Sequence, residues 1–189
     1  MNGIPAIIQS LCYLLSQLDK ADKLQLVKLM YLADKYHLMK YGRTVSGDDF
    51  YAFEHGPAGS KTINVLNFDK RELGSHLDTA KRLFKKGQGE YEFVPGEKCE
   101  RVSLTMLSDT DMEALEFVLK TFGKMGKKVI DYSHKLPEWK KYKSLFVTKT
   151  TKREPIRTEE VLSRTGDRYF TIADDHIEES RKILTGTYD

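Results

Sequence analysis

Apolar residues recur at helical spacing from the start of the chain. Ile7, Leu11, Leu14 and Leu18 fall three or four residues apart, which predicts a helix over 4–18. Asp19 to Asp22 is a polar break, and Asp22 suits the N-cap of a second helix. That helix runs from Lys23 to Tyr41 and stops at Gly42, a residue that accepts the left-handed conformation ending many helices. At about 100° per residue, Leu26, Leu29, Met30 and Ala33 gather on one side. Leu24, Val27, Tyr31 and Leu38 gather on another, so the helix packs on several sides. Lys28 and Lys35 are left as its one water-facing stripe. Asp34 and His37 lie beside the apolar clusters, one turn apart, where their side chains can meet.

Further elements follow the same logic. The aromatic stretch 49–54 predicts a short strand, His55-Gly56-Pro57 a turn, and 60–66 a short helix. Residues 68–80 are charged and irregular. Arg82 to Phe84, a Gly87-Gln88-Gly89 turn and Glu90 to Val94 predict a hairpin. Ser108 caps a helix over 108–122, with Asp111 favouring its first turn and Met112, Leu115, Val118 and Leu119 as its stripe. A shorter helix over 129–136 is stopped by Pro137, which opens another helical turn. Short helical patterns return at 159–162 and 177–184. The sum is an α+β fold, predominantly α-helical: a compact helical core with a small β element made of a short strand and a hairpin.

Charge divides the chain. Residues 140–157 hold seven Lys or Arg and one acid, net +6, whereas 158–189 hold eight acids and four Lys or Arg, net −4. This predicts a core domain over 1–147 and a C-terminal helical appendage over 148–189 that shapes partner choice. The whole chain is nearly balanced, at +3 over 189 residues, without the basic excess of a dedicated nucleic-acid binder. No apolar run approaches the ~18 residues of a membrane span. The N-terminus lacks a charged segment followed by a cleavable apolar one. The expectation is a cytoplasmic protein.

Chemistry is sparse. Cys12 and Cys99 form no CxxC pair and are too few for a disulfide framework; Cys12 reads as a small buried side chain. His37, His55, His134 and Asp34 have no metal-ligand spacing, so no metal and no cofactor are expected. Asp34 and His37 read as a structural polar pair. Asp48-Asp49 is a turn signal, Asp48 binding its own backbone. Nucleophile and phosphate-loop motifs are absent. Trp139, the one tryptophan, reads as an anchor for the end of the helical core.

The order of several pieces resembles the Panacea-domain family, the SocA-like antitoxin domain also found in phage-associated GepA-like proteins. They are Lys23-Leu24 through Tyr31-Leu32-Ala33-Asp34, Tyr36-His37, Gly42-Arg43, Gly47 to Ala52, His55-Gly56-Pro57, Tyr132-Ser133-His134 and Pro137-Glu138-Trp139. The resemblance covers about 5–145. Ala58 departs from it, since a β-branched residue usually follows Gly-Pro, and 68–101 is long. It implies a non-enzymatic antitoxin that neutralises a cognate toxin by direct contact, with delivery of the toxin to a AAA+ protease in one branch. Tyr51, His55, Lys140, Lys141, Tyr142 and Lys143 are the expected contact residues. Gly56, Pro57, His134 and Trp139 are expected as structural anchors. Two other classes compete: a metal- or acid–base-dependent hydrolase using Asp34, His37 and His134, and a nucleic-acid-binding regulator using 140–157.

Overall fold

A computed structural model describes residues 3–187. Helix α1 (Ile4–Leu18) and helix α2 (Lys23–Tyr41) form where the apolar spacing places them. Between them the two-residue strand β1 (Ala21–Asp22) ends in the cap of α2, the Asp22 side chain accepting from the Leu24 amide at 2.9 Å. Gly42 closes α2 with φ 69°, and its amide donates to the Leu38 carbonyl. A side chain there would be strained, because only glycine adopts this backbone freely.

Strands β2 (Phe50–Phe53) and β3 (Gly56–Gly59) pair as an antiparallel hairpin, Phe50 opposite Gly59 and Phe53 opposite Gly56. The Gly56-Pro57 signal expected as a turn is therefore strand, and the turn sits at Glu54-His55. Helix α3 (Ser60–Leu66) follows directly. Its first amides are held by Asp48, whose carboxylate accepts from Lys61 N and from Thr62 N and Oγ1 at 2.7–2.8 Å. Asp48 thus does more than cap its own turn: it pins the loop after α2 to α3.

The stretch expected to be irregular holds α4 (Lys70–Leu73), capped by Asp69, and α5 (Leu77–Leu83). Each buries only one or two residues, Leu73 in α4 and Ala80 and Leu83 in α5, which leaves no periodicity to read. The hairpin begins at Phe84 because Leu83 still belongs to the helix. Strand β4 (Phe84–Lys86) pairs with β5 (Glu92–Pro95), and β5 also pairs with β1, giving a three-stranded antiparallel sheet ordered β1-β5-β4. Cys12 is buried as expected, but it is also joined by a disulfide to Cys99, which ties α1 to the turn after β5.

Helix α6 (Asp109–Phe122) opens on a capping box between Ser108 and Asp111. It is followed by α7 (Lys128–Ser133), α8 (Pro137–Lys140) and α9 (Lys143–Val147). Strand β6 (Arg153–Pro155) then returns to β2, completing a second three-stranded antiparallel sheet ordered β3-β2-β6. Helices α10 (Thr158–Val161) and α11 (Asp174–Thr185) end the described chain.

The protein is α+β and mainly helical. Helix α2 is its axis, packed against α1, α3, α6, α7, α11 and β3. Residues 148–187 hold β6, α10 and α11 between irregular stretches, and they enter the main core: Ile156, Val161, Leu162, Phe170 and Ile177 are buried in the same apolar cluster as α1 and α2.

Candidate functional site

Lys28 and Lys35, expected as the wet stripe of α2, are both buried, 1% and 0% exposed. Each cation has found internal acceptors instead of water. The Lys35 ammonium meets Glu138 Oε1 at 3.0 Å and donates to the carbonyls of Val161 at 2.6 Å and Ser163 at 2.7 Å. Tyr31 donates to the same Glu138 oxygen at 2.9 Å. Burial lowers the Lys35 pKa, while Glu138 pulls the other way. This network joins α2, α8 and the chain after α10.

Among the described residues, Lys28 has no such anion. Its ammonium donates to the Pro57 carbonyl at 2.8 Å, and burial brings its pKa down to about 7. Gly56 shows how tightly the hairpin closes over it. Gly56 has φ 97°, and a Cβ there would lie 3.0 Å from Lys28 Nζ and against Ser133 Oγ. The His55-Gly56-Pro57 and Tyr132-Ser133-His134 pieces of the sequence therefore meet at one buried lysine. His134 stacks on Trp139, ring centroids 4.3 Å apart, and its Nε2 is buried without a hydrogen-bond partner. Burial, then the neighbouring Lys28 charge, pull the His134 imidazole pKa down. The Trp139 indole donates to the Phe53 carbonyl at 2.8 Å, docking α8 on β2.

Beside this junction lies a cavity of about 600 Å³. Its walls come from the first two turns of α2, the β2–β3 hairpin and Ile63 of α3, with Lys28 and His55 among the lining residues.

Asp34 and His37 do not pair with each other. Asp34 accepts from the Ser46 amide at 2.8 Å and hydroxyl at 2.6 Å, fixing the loop after α2, and burial pushes its pKa up to about 7. His37 places Nδ1 2.8 Å from the Arg43 carbonyl and Nε2 3.0 Å from Thr110 Oγ1, so it joins that loop to α6. The packed helix turns the two side chains toward different neighbours. Asp34, His37 and His134 thus each meet a different set of neighbours. Among the described residues, no three His, Cys, Asp or Glu side chains form a group that could hold a metal ion.

The expected contact residues separate into two places. His55 lines the cavity. Tyr51, Lys141 and Tyr142 come together around β6: Tyr51 pairs with Pro155, the Tyr142 hydroxyl donates to the Pro155 carbonyl at 2.9 Å, and Arg153 sits 4.8 Å over the Tyr51 ring. Lys140 and Lys143 are exposed beside them, and Lys141 pairs with Glu160 at 2.6 Å. Lys28, Lys35, Ser133 and Glu138 were not singled out as site residues in the sequence. The available signal was two lysines seven residues apart on a helix with apolar residues around most of its circumference.

The buried Lys28 gives a stability signature. Its pKa falls from 10.5 unfolded to about 7 folded. Between those values the unfolded chain holds the additional proton, so this group makes stability rise with pH; below about 7 the full cost of burying the charge is present. Asp34 runs the opposite way below about 7, but is the same in both proteins when Lys28→Met is compared with wild type. The variant's stability relative to wild type should be greatest at pH 6. It should decline by roughly 2–4 kcal/mol toward pH 10, in urea melts at each pH. A difference that does not change with pH would overturn this.

Residues 26–140 match the model of the antitoxin SocA-like, Panacea domain family. Among curated proteins and solved structures, none matches the chain. The matched segment carries all but the first three residues of α2, both strands of the first hairpin, α6 and the Trp139 anchor. The chain belongs to the SocA-like, Panacea-domain antitoxin family.

Proposed function

We propose that this member of the SocA-like antitoxin family neutralises a cognate toxin by direct protein contact, without catalysis, and that the face around β6 makes the contact. The observation that carries the reading is the density of free cations and half-buried aromatics there. Lys140, Lys143, Lys149, Lys152 and Arg153 are exposed, flanking Tyr51 and Tyr142, which are half-buried. Among the described residues, ion pairs on this face are few: Glu160 meets Lys141 and Arg157. Such a surface fits an acidic patch on the toxin through complementary potentials. Tyrosine and arginine are also the residue types that concentrate binding energy at interface centres.

The test uses the product of the adjacent gene, co-expressed with the full chain. Replacing Lys140 and Lys143 together by Glu should leave the melt within about 4 °C of wild type, because each exposed substitution changes stability by no more than ~0.5 kcal/mol. Toxin affinity should fall about tenfold or more, chiefly through a slower, less salt-dependent association rate. Unchanged binding with an unchanged melt would move the contact elsewhere. Steep salt-dependent binding to DNA or RNA in place of a protein partner would favour a nucleic-acid regulator.

A further inference from the structure

The cavity beside Lys28 belongs to no part of the proposed toxin contact, and its chemistry is unusually one-sided. At about 600 Å³ it falls in the size range of small-molecule sites. Leu24, Val27, Phe53, Ala58 and Ile63 supply apolar wall. The charged groups on the wall are almost all cationic. The single acid, Asp22, is already occupied, capping the Leu24 amide and pairing with Lys127 at 3.3 Å. Lys23 bonds the Asn67 side chain and, among the described residues, has no carboxylate partner. Lys28 is the decisive group. Its ammonium is withdrawn from water, makes one hydrogen bond, to a carbonyl, and no carboxylate of the described residues is paired with it. A buried cation is ordinarily matched by an anion, as Lys35 is by Glu138 in the same helix.

We propose that this cavity binds a free carboxylate carried on an apolar chain, the chain lying against Val27, Phe53 and Ile63 and the carboxylate meeting Lys28. The ligand supplies the anion that the fold omits, and the apolar wall selects against small hydrophilic acids. A partial desolvation of the ligand head is offset by a charge-assisted hydrogen bond in a low-dielectric setting.

The probes are octanoate, 1-octanol and acetate, titrated calorimetrically into the full chain at neutral pH. Octanoate should saturate at one per chain, with 1-octanol about tenfold weaker or more and acetate showing no saturation. Lys28→Met should lose about tenfold or more in octanoate affinity while holding 1-octanol within about twofold. Ile63→Trp, which fills the apolar wall, should abolish both. Three results would each overturn the proposal: octanoate and 1-octanol binding wild type alike, Lys28→Met binding octanoate as tightly as wild type, or no saturable octanoate binding up to about 10 mM. The melt of each variant is recorded alongside, so that lost binding is scored only on folded protein.

Discussion

Ending the chain after Phe146 should abolish cooperative unfolding. The charge pattern marks 148–189 as an appendage, and the family match stops at residue 140, yet the segment supplies parts that the remainder cannot replace. Ile156, Val161, Leu162, Phe170 and Ile177 are each no more than 7% exposed. Burying such side chains contributes about 1.5–3 kcal/mol apiece, so together they approach the whole stability of a typical domain, about 5–15 kcal/mol. The deletion also strips Lys35 of its two carbonyl acceptors and Tyr132 of Asp167, which its hydroxyl reaches at 2.7 Å. Each buried donor left without a partner costs about 1–3 kcal/mol more. The far-UV signal and melt of the 1–146 fragment decide the matter. A fragment that melts cooperatively but no longer binds its toxin would make the segment a recognition appendage. One that melts cooperatively and still neutralises would leave it with neither role.

Helices α2 and α6 were legible because their ends carry chemical signals as well as periodicity. Asp22 and Gly42 cap α2 at the residues where the pattern changes, and Ser108 with Asp111 does the same for α6. Helices α4 and α5 and strand β1 were not legible. Helices α4 and α5 are charged on their outer faces, and β1 is two residues long. Strand β6 reads Arg-Glu-Pro, with no alternation, because it is an edge strand whose stabilisation comes from pairing with β2. The deepest misreading concerned Lys28 and Lys35. Period alone places a lysine on a face; whether that face is wet depends on acceptors far away in sequence. For Lys35 these lie 103 to 128 residues downstream, in Glu138, Val161 and Ser163. For Lys28 the acceptor is a backbone carbonyl, invisible in any side-chain pattern. The same limit hid the cavity, whose walls are brought together only when the hairpin folds back on α2.

The second large effect is expected at Glu138. Its Oε1 alone receives both Tyr31 and Lys35, while Oε2 is buried with no hydrogen-bond partner. Among the described residues the carboxylate is the only anion paired with Lys35, and both side chains are fully shielded from water. Glu138→Ala removes the anion and leaves the ammonium held by two carbonyls, with the Tyr31 hydroxyl unpaired as well. Breaking a buried pair from one side costs about 3–5 kcal/mol, which is roughly 6–20 °C of melting temperature for a chain of this size. Glu138→Gln keeps one acceptor oxygen for both donors but loses the charge, so its loss should fall between Ala and wild type. Lys35→Met tests whether the pair acts as a unit. On its own it should destabilise, by stranding the carboxylate and two carbonyls. Introduced into Glu138→Ala it should cost little more or even restore stability, because the uncompensated charge is gone. The coupling from the double-mutant cycle should exceed about 1.5 kcal/mol. Additive losses would mean that Lys35 is satisfied by the Val161 and Ser163 carbonyls alone and that Glu138 serves only Tyr31.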